Sequence, residues 1–256
     1  MENTPKRRID VLIPAFNEED SLPLVLAAIP KGWVRQVIVC NNGSSDRTAD
    51  VARAAGAIVI EAPLRGYGSA CLAGMAYLQH LPLTEQPDIA VFLDGDYSDY
   101  PEDLPNVVGP ILNDGMDLVI GSRMLGKPEP GAMTPPQRFG NWLAPLLIRW
   151  LYGYRFSDLG PFRAIHWNSL LALNMRDPNY GWTVEMQVRA ARAGLRCTEV
   201  PVRYRKRAAG KSKVSGTIKG VVLAGWKIIA TIFLLGLSPK SKKQKSVPQY
   251  QEFKPR

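Results

Sequence analysis

Two carboxylates one residue apart, Asp94 and Asp96, close the segment Val91-Phe92-Leu93-Asp94-Gly95-Asp96-Tyr97-Ser98. Acids at that spacing suit a hard divalent cation such as Mg²⁺ or Mn²⁺. Mg²⁺ takes one or two protein carboxylates and completes its shell from substrate phosphates. The apolar run before the acids has the composition of a strand buried on both faces. A buried strand ending in acids delivers them to the rim of an α/β sheet, where ligands bind in such folds. Alone, an Asp-x-Asp pair also fits a simple turn, in which Asp and Gly are common.

The elements that must position these acids follow from the apolar pattern. Strands are expected over Ile9 to Pro14, Val34 to Cys40, Ala57 to Glu61, Ile89 to Leu93 and Asp117 to Ile120. Helices are expected between them: Asn17 to Ile29 with Asn17 as a cap, Asp46 to Ala55, Gly66 to Leu81 and Pro101 to Asn113. Strands alternating with helices imply right-handed βαβ units and a mainly parallel sheet. Pro14 to Asn17, Asn41 to Ser45, Arg65 to Gly68 and Asp94 to Ser98 then share one rim. Beyond Gly121 the alternation fades. A helix interrupted at Pro145 is expected over Gln137 to Tyr152, a helix over Trp182 to Ala193, and a strand over Thr198 to Tyr204.

The 256 residues suffice for one large α/β domain or two small ones. Met1 to Arg8 is polar and basic, and Ile9 to Phe16 is too short and polar for a signal sequence. Cys40, Cys71 and Cys197 are odd in number and widely spaced, which reads as reduced thiols of a cytosolic protein. His80 and His166 are the only histidines, so a His-rich metal site is not expected. From Arg203 onward the chain carries 14 Lys or Arg against one acid, Glu252, a net +13; the rest holds 18 basic and 22 acidic residues, a net −4. A basic end on a slightly acidic body points to an anionic surface. The acidic body and the absence of a recognised nucleic-acid motif argue against a nucleic-acid partner.

Seven segments in shared order resemble family 2 glycosyltransferases of the GT-A fold, most of all the dolichol-phosphate (polyprenyl-phosphate) mannosyl- and glucosyltransferase branch. They are Ile13 to Glu19 (I-P-A-F-N-E-E), Asn42 to Thr48 (N-G-S-S-D-R-T), Gly66 to Ala70 (G-Y-G-S-A), Asp94 to Glu102 (D-G-D-Y-S-D-Y-P-E), Gly121 to Arg123 (G-S-R), Phe162 to Ala164 (F-R-A) and Arg207 to Lys213 (R-A-A-G-K-S-K). The resemblance covers about Ile9 to Ile229. Two departures stand out: Asn41 and Asn42 replace two Asp, and Ser98 and Asp99 stand where the family often has Gln or His. An amide carries no charge, yet still accepts and donates hydrogen bonds to a base.

The resemblance implies an inverting, metal-dependent hexose transfer from a UDP- or GDP-sugar to a polyprenyl or dolichyl phosphate. A second reading is transfer to a sugar hydroxyl in cell-wall or glycolipid synthesis. Pro14, Ala15, Asn17, Glu18, Asn42, Gly66, Asp94 and Gly95 are the expected nucleotide-sugar contacts, with Asp94 and Asp96 on the metal. Arg123, Arg138, Arg207, Ser212 and Lys213 are expected at the acceptor phosphate, which guanidinium forks suit. Asp158 and Glu185 have two open roles: partners of Arg163 or Arg189, or groups that line the sugar pocket and, for a hydroxyl acceptor, supply the base.

The implied domain runs over 7–237, with a nucleotide-binding half at 9–123, an acceptor half at 124–216 and a membrane-associated helix at 217–237. A basic, disordered tail follows at 238–256. Val221 to Leu237 is an apolar stretch whose Lys227 and Thr231, with Lys219 before it, fall on one narrow stripe. That pattern fits a helix lying in a membrane interface. A peripheral protein on the cytosolic face is expected; a single crossing by 221–237 and a membrane-protein partner are the alternatives.

Overall fold

The structure is a computed structural model that describes residues 7–126, 128–209 and 218–237. Its strands are β1 (Ile9–Ala15), β2 (Gln36–Asn41), β3 (Ile58–Glu61), β4 (Ile89–Phe92), β5 (Leu118–Ser122), β6 (Arg163–His166) and β7 (Cys197–Pro201). The helices are α1 (Leu22–Ala28), α2 (Thr48–Ala54), α3 (Tyr67–Gln79), α4 (Leu104–Asn113), α5 (Arg123–Gly126), α6 (Pro135–Tyr152), α7 (Trp167–Leu173), α8 (Trp182–Ala193) and α9 (Ile218–Leu237). One seven-stranded sheet runs in the order β3-β2-β1-β4-β6-β5-β7. Every described strand is parallel to its fellows except β6, which lies antiparallel between β4 and β5. The carboxyl ends of the other six therefore form one rim. This is the mainly parallel α/β arrangement that the alternation implied.

The central strands read as unbroken apolar runs because both faces are covered. Alternate residues serve opposite layers. Val11, Ile13 and Val91 pack under α1, α2 and α4, whereas Leu12, Ala90 and Phe92 pack under α3, α7 and α8. Asp10 interrupts the β1 pattern yet is fully buried, because Arg35 and Gln36 both donate to it.

Three local expectations are corrected. The first helix begins at Leu22, not at Asn17; Asn17 takes a left-handed conformation (φ 54°) and forms a loop. The sixth helix starts earlier, at Pro135, and runs on through Pro145. Thr134 and Gln137 form a reciprocal capping box, and prolines fill the first helical turn. Pro145 removes one intrahelical bond, but it is buried, and its neighbours Ala144 and Ile148 belong to the core beside α8 and α9. The last strand ends at Pro201, so Tyr204 makes only an isolated bridge, to Asp99.

The start of α3 is set by close backbone contact. Gly66 has φ 135°, and the Ser69 amide donates to the Pro178 carbonyl at 2.8 Å. A Cβ on Gly68 would lie 1.9 Å from the Asp177 carbonyl oxygen, a backbone atom that no rotamer change can move. Gly68→Ala would gain up to about 1 kcal/mol of helix propensity, but forced overpacking costs about 1–3 kcal/mol. We expect a net loss of stability, seen as a lower urea midpoint with an unchanged slope.

Candidate active site

The β1 and β2 ends are laced together. The Asn17 amide donates to Ser44 Oγ at 3.0 Å, its Oδ1 accepts from Ser45 N at 2.8 Å, and the Glu18 amide donates to Thr48 Oγ1 at 2.8 Å. Pro14 and Ala15 end β1 beside Cys40 and Asn41. Asn42 is buried and bridges onward: its Nδ2 donates to the Leu64 carbonyl and its Oδ1 accepts from Gly66 N, both at 2.7 Å. Asn41 Nδ2 donates to Glu61 Oε2 at 2.7 Å. Both amides thus tie loops together, where the sequence suggested an open contact to a base. The Arg65 guanidinium covers the Phe16 ring at 4.2 Å on the same rim.

Asp94 and Asp96 leave the end of β4 as expected. Tyr67 donates to Asp94 Oδ1 at 3.0 Å, and Gly95, between the acids, is held by Ser21 Oγ through its carbonyl. Burial, then the charge of Asp96, pushes the Asp94 pKa up to about 7. Asp96 Oδ1 accepts from the Ser98 amide at 2.9 Å. Asp99 is buried, and among the described residues neither carboxyl oxygen has a hydrogen-bond partner. Burial, then the charge of Asp94, pushes its pKa well above the usual carboxylate range.

A strap from Tyr204 to Ala208 lies across this acidic loop. The Arg205 amide donates to the Ser98 carbonyl and the Ala208 amide to the Asp96 carbonyl. The Arg205 guanidinium sits 3.6 Å from the Tyr97 ring centroid and 3.8 Å from that of Tyr100. Arg207 reaches Glu18 Oε1 at 2.5 Å and lies 3.7 Å from Asp96 Oδ2. The sequence reading missed Tyr67, Tyr97 and Arg205. The Arg-Tyr-Arg alternation of 203–205, matched to Tyr97 and Tyr100, was the available signal.

Arg123 and Asp158 pair with one another, and Glu185 takes the first of its two open roles, as the partner of Arg189. Arg123 is only 8% exposed and Asp158 fully buried. Arg123 Nε donates to Asp158 Oδ2 at 2.8 Å and its Nη2 to Oδ1 at 2.6 Å, while its backbone amide also donates to Oδ2. Burial alone would lower the Arg123 pKa, and the Asp158 charge more than reverses this; Arg123 in turn keeps Asp158 below its usual range against burial. Asp158 is therefore not a free base, and its partner is Arg123, not Arg163. Arg163 instead donates to the backbone carbonyls of Gly160 and Thr183. Glu185 pairs with Arg189 at 2.7 Å and accepts from the amides of Arg176 and Asp177, which removes it as a base as well. Arg138 is exposed in the first turn of α6, and Ser212 and Lys213 lie outside the described residues.

The site's donor set fits a hard divalent cation. Its oxygens are carboxylates, and Asp94 and Asp96 repel one another without a fixed cation between them. Among the described residues no three His, Cys, Asp or Glu side chains converge to hold an ion unaided. Further ligands would have to come from a substrate.

Comparison with known proteins agrees with this geometry. Residues 10–172 match the model of glycosyl transferase family 2. An uncharacterized glycosyltransferase of Mycobacterium tuberculosis is 39% identical over 87% of this chain and 98% of its own length. A dolichyl-phosphate hexose transferase of Haloferax volcanii is 34% identical over 83% of this chain and 89% of its own. An undecaprenyl-phosphate mannosyltransferase of Micrococcus luteus is 31% identical over 83% and 90%. Among solved structures, the glucosyl-3-phosphoglycerate synthase of M. tuberculosis, in complex with Mn²⁺, UDP and glucosyl-3-phosphoglycerate, superposes with a TM-score of 0.69 at 25% identity. That match covers 92% of this chain and 82% of the other.

The Arg123–Asp158 pair yields a stability test. Breaking a buried pair by removing one partner leaves an uncompensated charge and costs about 3–5 kcal/mol. Asp158→Ala should lose that much in urea unfolding, whereas replacing both residues by apolar ones should recover most of it. A loss near zero for Asp158→Ala would show that the pair does not hold the fold.

Proposed function

The chain belongs to glycosyl transferase family 2, and on that premise we propose that it moves a hexose from a nucleoside-diphosphate sugar to a polyprenyl phosphate. The observation that carries this reading is the state of the site's acids. A hydroxyl acceptor needs a base to take its proton, and the two carboxylates that the sequence offered for that task, Asp158 and Glu185, are buried and engaged by other groups. A phosphate monoester has its second pKa near about 6 and is mostly dianionic at pH 7, so it attacks without a base. The names of the Haloferax and Micrococcus relatives support the same acceptor class.

In this mechanism an acceptor phosphate oxygen bonds to the anomeric carbon as the bond to the donor diphosphate breaks, inverting the centre. Asp94 and Asp96 would hold Mg²⁺ or Mn²⁺. A cation bound there offsets the charge of the leaving diphosphate. The β1 and β2 ends, with Pro14, Ala15, Asn17 and Glu18, form the nucleotide side, beside the turn that Asn42 fixes at Gly66. Arg207 stands between Glu18 and Asp96, where donor and acceptor phosphates would meet, and Arg138 and Lys213 are further acceptor candidates. The basic carboxyl-terminal part supports work as a peripheral protein on the cytosolic face of a membrane, alone or with a membrane-protein partner.

Two measurements test the reading. The protein is incubated with UDP- and GDP-sugars, Mg²⁺ or Mn²⁺, and either polyprenyl phosphate or phosphoglyceric acid. Release of a nucleoside diphosphate with polyprenyl phosphate, a β-linked product from an α-linked donor, and loss of turnover with EDTA are expected. Transfer to phosphoglyceric acid alone, or an α-linked product by NMR, would overturn it. Asp96→Ala should lower turnover by about 10²–10³-fold or more, as removal of a key electrostatic stabiliser does elsewhere, with an unchanged circular dichroism spectrum.

A further inference from the structure

We propose that the outer faces of α6 and α9 form a docking surface for the interfacial zone of an anionic lipid bilayer. The proposal deepens the lipid-acceptor reading and rests on it. On α6, Phe139, Trp142, Leu146 and Trp150 recur three and four residues apart and share one helical face. They are 61%, 60%, 45% and 76% exposed. The opposite face, with Asn141, Ala144, Pro145 and Ile148, is buried. Arg138 and Arg149, also exposed, lie along one flank of the apolar stripe.

On α9 the polar stripe does not face water, and Ile232 is buried on the same side. The sequence suggests a polar stripe of Lys227 and Thr231 turned to water. In the structure that stripe turns toward protein: Lys227 pairs with Asp177 at 3.0 Å, and Thr231 is buried. Trp226, Phe233 and Leu234 point outward, 71%, 43% and 64% exposed. The two helices adjoin, since the Tyr152 hydroxyl of α6 donates to the Ile232 carbonyl of α9. Aqueous surfaces rarely carry so many large exposed apolar groups on neighbouring helices.

Three observations select the bilayer as occupant. Trp beside Arg is the composition that sits at a headgroup boundary. The flanking Arg138 and Arg149 complement anionic lipid, whereas in a two-fold pairing through this stripe the same face, with its arginines, would meet its own copy. The exposed apolar groups lie on two adjoining helices, a breadth that suits a lipid interface; no helix among the described residues is long and apolar enough to cross a membrane. The inner face of α6 also reaches the site: Asn141 Oδ1 accepts from the amide of Leu159, next to Asp158. A helix seated in the interface would hold that loop at a fixed depth from the headgroups.

The test compares full-length proteins on vesicles of phosphatidylcholine and phosphatidylglycerol by co-sedimentation. Trp142→Gln with Trp150→Gln should weaken binding by about tenfold or more, since each removes a large apolar side chain from the interface. Arg149→Gln should weaken it by about fivefold on these vesicles and leave binding to pure phosphatidylcholine unchanged. Equal thermal midpoints for all variants verify the fold. In detergent-dispersed polyprenyl phosphate the double Trp variant should turn over like the wild type, but in vesicles its rate should fall with its binding. Undiminished vesicle binding by the double Trp variant would overturn the proposal, as would a dimer that the same variant converts to monomer. Absence of transfer by the wild type in detergent would sink the acceptor reading alone, because the vesicle-binding comparison does not involve the acceptor.

Discussion

Everything at the rim of this sheet answers to one problem, the crowding of negative charge at the end of β4. Asp94, Asp96 and Asp99 fall within six residues, and Asp158 is buried in the same charge cluster. Like charges in a partly desolvated site repel far more strongly than in water, and the raised Asp94 pKa reflects burial first and the Asp96 charge second. The fold supplies compensation from distant parts of the chain. Arg123, at the end of β5, neutralises Asp158 from within. Arg207, more than a hundred residues after the acids, approaches Asp96 from outside. Tyr67 brings a hydroxyl from α3. The negative charge that remains at Asp94 and Asp96 is of the kind a hard divalent cation offsets.

This balance explains which parts of the site were legible in the sequence. The Asp94–Asp96 pair, the four rim loops and the parallel order follow from strand periodicity and short connections, which are local signals. The pairing partners are not local. Asp158 and Arg123 are separated by 35 residues, and nothing in either segment states that one consumes the other. Glu185 was readable as the i, i+4 partner of Arg189, but its two amide donors come from a loop whose path only tertiary packing defines. The β6 strand escaped for a related reason. Four residues of mixed polarity, beginning with Arg163, carry no strand signature until β4 and β5 flank them.

Helix α9 shows how burial reverses the meaning of an amphipathic pattern. A polar stripe on an apolar helix reads as a water-facing edge when the helix is taken alone. Here the stripe finds an acid, Asp177, whose Oδ1 accepts from the amides of Asn179 and Gly181. The ion pair joins the helix to the body, Ile232 is buried beside it, and Trp226, Phe233 and Leu234 are turned out. A helix packed this way is stabilised by its neighbours on one side and lacks a matching environment on the other. The same holds for α6, so the asymmetry belongs to the packing of the pair, not to one accidental tryptophan.

The two asparagines that replace expected acids belong to the same charge balance. An Asp at position 42 could accept from Gly66 N but could not donate to the Leu64 carbonyl. Asn42 does both and so fixes the β3–α3 turn from two sides. That turn ends at Gly66, whose φ of 135° launches α3, and the first residue of α3 is Tyr67. The amide thereby sets the position of the hydroxyl that meets Asp94. It does so without adding a further carboxylate to a rim that already carries Glu18, Asp94, Asp96 and Asp99. Glu61, at the end of β3, is held by Asn41 and lies 3.6 Å from Arg53, on the far side of β2 from Asp94 and Asp96. Neutral residues close to the acids and a paired acid away from them are the arrangement that limits like-charge repulsion at this rim.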